Sequence, residues 1–431
     1  GVITIPLMKR AGFPPKFAGG VEAAASTGGQ LMPPVMGAGA FVMASFTQIS
    51  YLEIIAVSVL PALLYFFTVG VFVRIEAARI GLMPDPDIEP LWPVFKAGWH
   101  FLLPIAALAG LLIAGFTPVY AAAVAIGVTI GSSWLSPNPM KLRDIIGAAS
   151  DGAVSMAPTA MLLICVGLIV NVVGMTGVGN TFSLMLSSWA GGSLLLTIIL
   201  VALASLVLGM GLPVTASYIV LATLSAPAIY GLMVEAALIK ALLLGAATPE
   251  LSAYAMLVAP DLAAGIGNAM SEADAVTLLA ALPADIRSGL ADGLIAPALL
   301  TSMLLAAHLV IFWLSQDSNV PPPVALCAFA AASIAGTRPM ETGFAAWKIA
   351  KGLYLVPLLF VYQPLITGTG IEPLVTALMA IPAFTALAAA LHGYFAQPLN
   401  IALRLALGAG GTAIIAPWGD LWAHAAAAAV L

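Results

Sequence analysis

Gly28-Gly29-Gln30-Leu31-Met32-Pro33-Pro34-Val35 interrupts an apolar stretch of membrane-crossing length with two glycines, an amide and two prolines. Proline lacks a backbone donor and crowds the preceding turn, and in hydrocarbon every peptide N–H and C=O must find its partner within the protein. Such a break is tolerable only where it packs on protein or lines a wet cavity. A similar one, Asp317-Ser318-Asn319-Val320-Pro321-Pro322-Pro323-Val324, recurs late in the chain. Each is followed by an Ala-Phe step (Ala40-Phe41, Ala328-Phe329) and an Ala-Ser pair (Ala44-Ser45, Ala332-Ser333), with the Val-to-Phe spacing differing by one residue. Paired broken segments in the two halves of a membrane chain point to the binding site of a secondary transporter.

The bulk composition agrees. The 431 residues are 62% hydrophobic and 8% charged, with a mean hydropathy of +1.09, against about 25% charged residues in a soluble globule. The chain reads as an all-α polytopic membrane protein. Its 14 basic and 19 acidic residues, a net charge of −5, are too few and too scattered for a nucleic-acid footprint. Cys165 and Cys327 lie in apolar segments without a ligand-spaced partner and read as small core side chains.

Residues 1–50 read as the end of an apolar helix running into a basic turn, then the first broken span over 17–47. Scaffold helices fill 51–152: a continuous span at 52–73 containing Pro61, a loop at 74–96 with the acidic turn Asp85-Pro86-Asp87-Ile88-Glu89, and spans at 99–115 and 118–135. The amphipathic stretch 138–152 fits a helix lying in the interface, ahead of a span at 154–175. Residues 153–234 hold that span and an apolar run, 193–229, longer than the ~20 residues one crossing needs. Gly209-Met210-Gly211-Leu212-Pro213 splits that run into halves, which makes a re-entrant hairpin of it; one kinked, tilted helix is the alternative. Residues 235–292 gather seven acidic residues against two basic ones and read as an aqueous insertion with short helices, one starting at Ser271-Glu272-Ala273-Asp274. Residues 293–349 contain the second broken span, and 350–431 supply spans near 350–367, 371–392 and 403–430, with 421–431 helical to the end.

Loops at 9–16, 74–96, 136–150, 337–351 and 393–404 carry twelve of the fourteen Lys and Arg. They share one face if 193–229 enters and returns, as the positive-inside rule asks, and the acidic insertion then lies on the non-cytoplasmic side.

Cotransport of a cation and an anionic solute needs bare oxygens for the cation and helix N-termini for the anion. The first break offers Ser26, Thr27, the carbonyls around Gly28 and Gly29, and Gln30; the second offers Asp317, Ser318 and Asn319; the hairpin tip offers Gly209, Gly211 and Thr215. Oxygen ligands of this kind suit Na⁺ better than a transition metal. Asp317 stands out, because a carboxylate at membrane depth is costly and marks function by default. Glu22 could touch solute or cation, or cap a neighbour. Ser26 and Thr215 could ligate or back-bond to their own helix, and Asn171 could meet solute or another helix. His100, His308, His392 and His424 are scattered and fit packing or hydrogen bonding. No H-E-x-x-H, G-x-S-x-G or P-loop lysine supports an enzyme or an ATP-driven pump.

The stretch Phe17-Ala18-Gly19-Gly20-Val21-Glu22 through Ser26-Thr27-Gly28-Gly29-Gln30-Leu31-Met32-Pro33-Pro34 resembles the large permease of tripartite ATP-independent periplasmic (TRAP) transporters, in the fused form that works with TAXI-type receptors. The blocks Gly209-Met210-Gly211-Leu212-Pro213-Val214-Thr215 and Asp317-Ser318-Asn319-Val320-Pro321-Pro322-Pro323 look like two further motifs of that family. The resemblance covers most of the chain outside 235–292. It implies an elevator-type fold of inverted repeats with broken helices in a multi-pass bacterial inner-membrane protein. It also implies Na⁺-driven import of carboxylate-type solutes delivered by a periplasmic binding protein. By motif, cation sites fall at Thr27, Gly28, Gly29 and Gln30, at Gly209, Gly211 and Thr215, and at Asp317, Ser318 and Asn319; Glu22, Ser26, Asn171 and Pro213 are the candidates for solute. Two departures stand out: the small membrane subunit and a first hairpin expected before Gly1 are absent, so the chain reads as N-terminally incomplete, and Pro321 replaces the Thr of a Thr-Pro-Pro. Rival readings are a receptor-independent carboxylate carrier and, from another class, an intramembrane enzyme or a scaffold. The central expectation is that the two breaks and the hairpin tip meet at mid-bilayer.

Overall fold

The computed structural model describes residues 1–83, 90–136 and 139–415, with only the backbone described at 91, 94, 97, 284 and 285. The acidic turn at 85–89, His424 and everything beyond Ile415 in the last expected span lie outside the described residues.

In chain order the helices are α1 Thr4–Arg10, α2 Pro15–Gly28, α3 Ala38–Thr47, α4 Tyr51–Arg79, α5 Leu91–Gly98, α6 Leu102–Ile113, α7 Pro118–Ser133, α8 Leu142–Thr176, α9 Val178–Trp189, α10 Leu194–Gly209 and α11 Val214–Leu243. They continue with α12 Pro249–Val258, α13 Pro260–Ala263, α14 Glu272–Ala281, α15 Ala284–Leu294, α16 Pro297–Leu314, α17 Leu326–Ala335, α18 Pro339–Ile349, α19 Gly352–Tyr362, α20 Glu372–His392 and α21 Ile401–Ile415. A two-residue β-hairpin, Tyr394–Phe395 with Gln397–Pro398, is the only strand pairing among the described residues. Among the described residues six helical stretches are long and apolar enough to cross a bilayer, and several shorter apolar helices accompany them. The chain is therefore all-helical and polytopic.

Local chemistry explains many of the starts. Ser50 Oγ accepts from the Glu53 N–H at the head of α4, and Ser271 caps α14 while also donating to Asp274 at 2.7 Å, a reciprocal use of side chains at a helix N-terminus. Proline occupies the first helical position of α7, α12, α16 and α18, where its missing donor costs nothing.

The chain divides into two units. One comprises Gly1–Val172, Asn319–Ala350 and Ala388–Ala406; the other comprises Val173–Ser318, Lys351–Leu387 and, among the described residues, 407–415. In the first unit α2 packs on α17, α18 and α4. Glycine makes the approach close: a Cβ on Gly20 would stand 2.9 Å from the Ala346 backbone nitrogen, and one on Gly19 2.9 Å from the Thr342 methyl. Small residues let membrane helices meet at backbone distance, where dispersion between closely packed main chains replaces a hydrophobic driving force. In the second unit α11 packs on α16, α9 and α10, and α16 packs on α19. Residues 305–314 of α16 are buried all round, as a helix apolar on every face requires. Phe312 meets Tyr218 edge-on, Trp313 meets Phe360 edge-on, and Tyr218 Oη hydrogen-bonds His308 Nδ1 at 2.9 Å.

Several expectations change. The interfacial helix at 138–152 is not separate: α8 runs unbroken through it for 35 residues, stopping only before Gly177, whose φ of 67° ends a helix without cost. Charged side chains at 141–151 suggest an interface, but helix propensity carries through them. The second arm of the split run continues to Leu243, so Glu235 and Lys240 belong to α11 and not to the insertion, and the arm is 30 residues long instead of a half-helix. α9 is not expected from the sequence at all. The basic stretch 337–351 is largely helical, because Pro339 starts α18 there. Cys165 is exposed on α8, whose sole buried residue is Val166, so it is no core side chain; Cys327 is half-buried.

Candidate functional site

The second unit brings two of the three expected places together. α10 ends at Gly209, and a Cβ there would lie 3.0 Å from the Ser318 backbone nitrogen. Ser205, one turn earlier, donates its hydroxyl to the Leu314 carbonyl at 2.8 Å, which pins α10 to the end of α16. Beyond Leu314 the helix tightens into a 3₁₀ turn, Ser315–Ser318, in which Asp317 and Ser318 are 4% and 0% exposed. A buried carboxylate needs a partner. Asp317 Oδ1 accepts the Tyr354 hydroxyl from α19, a residue that sequence reasoning missed. Ser318 Oγ donates to the Ser315 carbonyl at 3.3 Å. Gly211 and Pro213 are exposed at the tip, and Thr215 is half-buried in the first turn of α11.

In the first unit α2 ends at the first break. Thr27 is fully buried and donates to the Ala23 carbonyl one turn back at 2.8 Å, with Cys327 also in hydrogen-bonding reach. Gly28 is buried under the Tyr65 ring, whose hydroxyl donates to the Ala24 carbonyl at 2.8 Å. Gly29 is exposed and Gln30 half-buried. The break is closed by the Gly37 N–H donating to the Gln30 carbonyl at 2.8 Å, and after the second break the Cys327 N–H donates likewise to the Asn319 carbonyl at 3.1 Å. Both Pro33–Pro34 and Pro322–Pro323 are cis.

These correspondences share one register. Gly28 and Asp317 each stand seven positions before the valine of their break, and Tyr65 and Tyr354 each follow that valine by 30. A tyrosine at the same spacing thus stands against each break, Tyr65 with its ring on Gly28 and its hydroxyl on the Ala24 carbonyl, Tyr354 with its hydroxyl on the Asp317 carboxylate. That repeated spacing was the available signal for Tyr354.

The remaining candidates fare differently. Glu22 accepts from Thr4 Oγ1 at 2.5 Å and from Ser26 Oγ at 3.4 Å, so the two proposed solute contacts hold each other and α1. Asn171 is exposed on α8.

A family model, the DctM component of tripartite ATP-independent periplasmic transporters, matches residues 1–373. The chain belongs to the DctM family. DctM-family chains are transporters, not enzymes, and this one is a multi-pass inner-membrane protein. It is similar to the C4-dicarboxylate TRAP transporter large permease protein DctM of Pseudomonas aeruginosa, at 35% identity over 130 residues, which is 29% of this chain and 30% of that protein.

For the DctM-family chain the oxygens at Asp317 are its carboxylate, the Tyr354 hydroxyl and, one residue on, the Ser318 hydroxyl, with the Lys351 ammonium in electrostatic reach of the carboxylate and over the Tyr354 ring. Such a set fits a hard cation. The glycines at the tip give a sharp test. Gly209→Ala must push the tip away from Ser318 by a few tenths of an ångström, whereas a Cβ on Gly211 meets nothing within 4 Å. A cation held there, followed by calorimetry, should bind more than tenfold more weakly in the first variant and within about twofold in the second; equal losses would remove the tip from the site.

Proposed function

We propose that this chain is the permease of a Na⁺ symporter that imports carboxylate-type organic solutes handed over by a periplasmic binding protein of the TAXI type. The observation that carries the reading is Asp317: a buried carboxylate at a helix break, held by Tyr354 and faced by the glycine end of α10. A charge at membrane depth is costly and marks an ion path by default. Asp317 and Ser318, with Gly209, Gly211 and Thr215, would hold one Na⁺, and Asn319 would close that break by its carbonyl. Thr27, Gly28, Gly29 and Gln30 would hold a second through backbone and amide oxygens. The solute carboxylate would meet the N-terminus of α11 beside Pro213, where the helix dipole favours an anion. Carriage by an elevator movement, and a small membrane subunit or fused equivalent, complete the proposal. The relative from Pseudomonas aeruginosa is named for C4-dicarboxylates, which makes a C4-dicarboxylate the first solute to try.

The test is reconstitution of the complete assembly, receptor included, in liposomes. Uptake should rise at least tenfold with an inward Na⁺ gradient over equimolar K⁺. Uptake independent of Na⁺ would end the symport reading, and equal uptake of free solute without receptor would end receptor dependence.

A further inference from the structure

The first unit contains a second polar centre, unrelated to the breaks. Glu76 at the end of α4 and His392 at the end of α20 bury their side chains, each 3% exposed, with His392 Nε2 2.7 Å from Glu76 Oε2. Arg79 grips the same carboxylate with both ends of its fork, at 2.7 and 2.8 Å. These groups wall a cavity of about 230 Å³, together with Phe17, Lys16 and Lys348. Lys348 also stands within electrostatic reach of Arg404.

Three features single this cavity out. Its charge is unbalanced: the carboxylate of Glu76 is taken up by Arg79 and His392, and among the described residues the ion pairs include neither Lys16 nor Lys348. His392 Nδ1 is buried with no hydrogen-bond partner in the protein, a state that buried polar atoms rarely keep. The space, several times the roughly 30 Å³ of one water, is large enough to admit a phosphate group. The position adds a fourth point. Lys16 is the second residue of α2, Arg79 ends α4 and Lys348 lies in the last turn of α18, all within basic stretches that the charge bias assigns to the cytoplasmic face, so an anion would enter at that membrane surface. A phosphate in the cavity would itself favour the imidazolium, whose Nε2–H is held by Glu76 and whose Nδ1–H is then left to donate, and two lysines supply point charges of the kind that bind phosphate.

We propose that this cavity binds a phosphate group, either the headgroup of an anionic phospholipid of the cytoplasmic leaflet or free phosphate. Lys16 and Lys348 neutralise it and His392 orients it. The site is separate from the cation sites and does not depend on them.

The full protein, purified in a neutral detergent, is titrated with phosphatidylglycerol in mixed micelles and, in parallel, with inorganic phosphate, reading bound ligand by native mass spectrometry and the thermal midpoint. K16Q/K348Q should weaken binding at least tenfold. K141Q/R143Q, which removes two charges from the same face outside the cavity, should change it less than twofold. Lys16 is exposed, so K16Q alone keeps the fold and should still weaken binding about threefold. Binding of phosphatidylglycerol without competition from phosphate assigns the site to lipid, and competition by phosphate assigns it to the free anion. Binding that ignores K16Q/K348Q, equal loss in the two double variants, or no binding of either ligand overturns the proposal.

Discussion

Asp317→Asn should lower the proposed Na⁺-driven uptake by 100-fold or more while leaving the helices around it in place. Two unit charges 4 Å apart attract by about 4 kcal/mol at an effective dielectric of 20, and a hundredfold loss asks for only ~2.8 kcal/mol of that. Asparagine has the same shape and still offers an oxygen to the Tyr354 hydroxyl, so packing is spared. Tyr354→Phe should act in the same direction but less. The carboxylate loses one hydrogen bond, worth roughly 1.5–3 kcal/mol to a charged acceptor, and uptake should fall about tenfold. Transport by D317N at the wild-type rate, with wild-type Na⁺ affinity, would take Asp317 out of the cation site and leave it a structural partner for α19.

Gly28→Ala should destabilise the protein by ~3 kcal/mol, the upper end of what overpacking costs. Alanine is the better helix former by about 1 kcal/mol, so propensity alone predicts a gain. Sterics win because a Cβ at Gly28 overlaps the Tyr65 ring and comes 3.0 Å from Phe66 Cζ. The ring cannot retreat, since Tyr65 is buried and its hydroxyl is tied to the Ala24 carbonyl at 2.8 Å. Tyr65→Leu shortens the side chain, and G28A/Y65L should therefore cost less than the two single changes summed. The measurement is denaturant unfolding in detergent. A stable G28A, or strict additivity in the cycle, would show that the ring gives way and that the close approach is incidental.

How much of this was legible in advance depends on what each feature rests on. The two helix breaks over 28–37 and 319–325 were readable, because Gly-Gly and Pro-Pro oppose a helix whatever surrounds them. So was the split between α10 and α11 at Gly209–Pro213, and so was the Ser271 cap, whose partner is three residues away. Hydropathy sufficed for the polytopic all-helical class and for most of its spans. The length of α11 and the unbroken run of α8 were not readable, since charge at a helix end looks the same to a hydropathy window whether the helix stops or continues. Ser26 and Thr4 both donate to Glu22, a linkage that the sequence does not mark. Tyr354 escaped for a different reason: its bond to Asp317 crosses 37 positions, so only the spacing it shares with Tyr65, and no local pattern, marks it. The pairing of Glu76 with His392 spans 316 positions, and neither residue is unusual beside its chain neighbours. Sequence alone determined where the helix must break and which oxygens are laid bare, because those are properties of the backbone and its nearest residues. Only the tertiary structure decided which distant hydroxyl, ring or backbone stands against each break, because that follows from how helices remote in the chain pack.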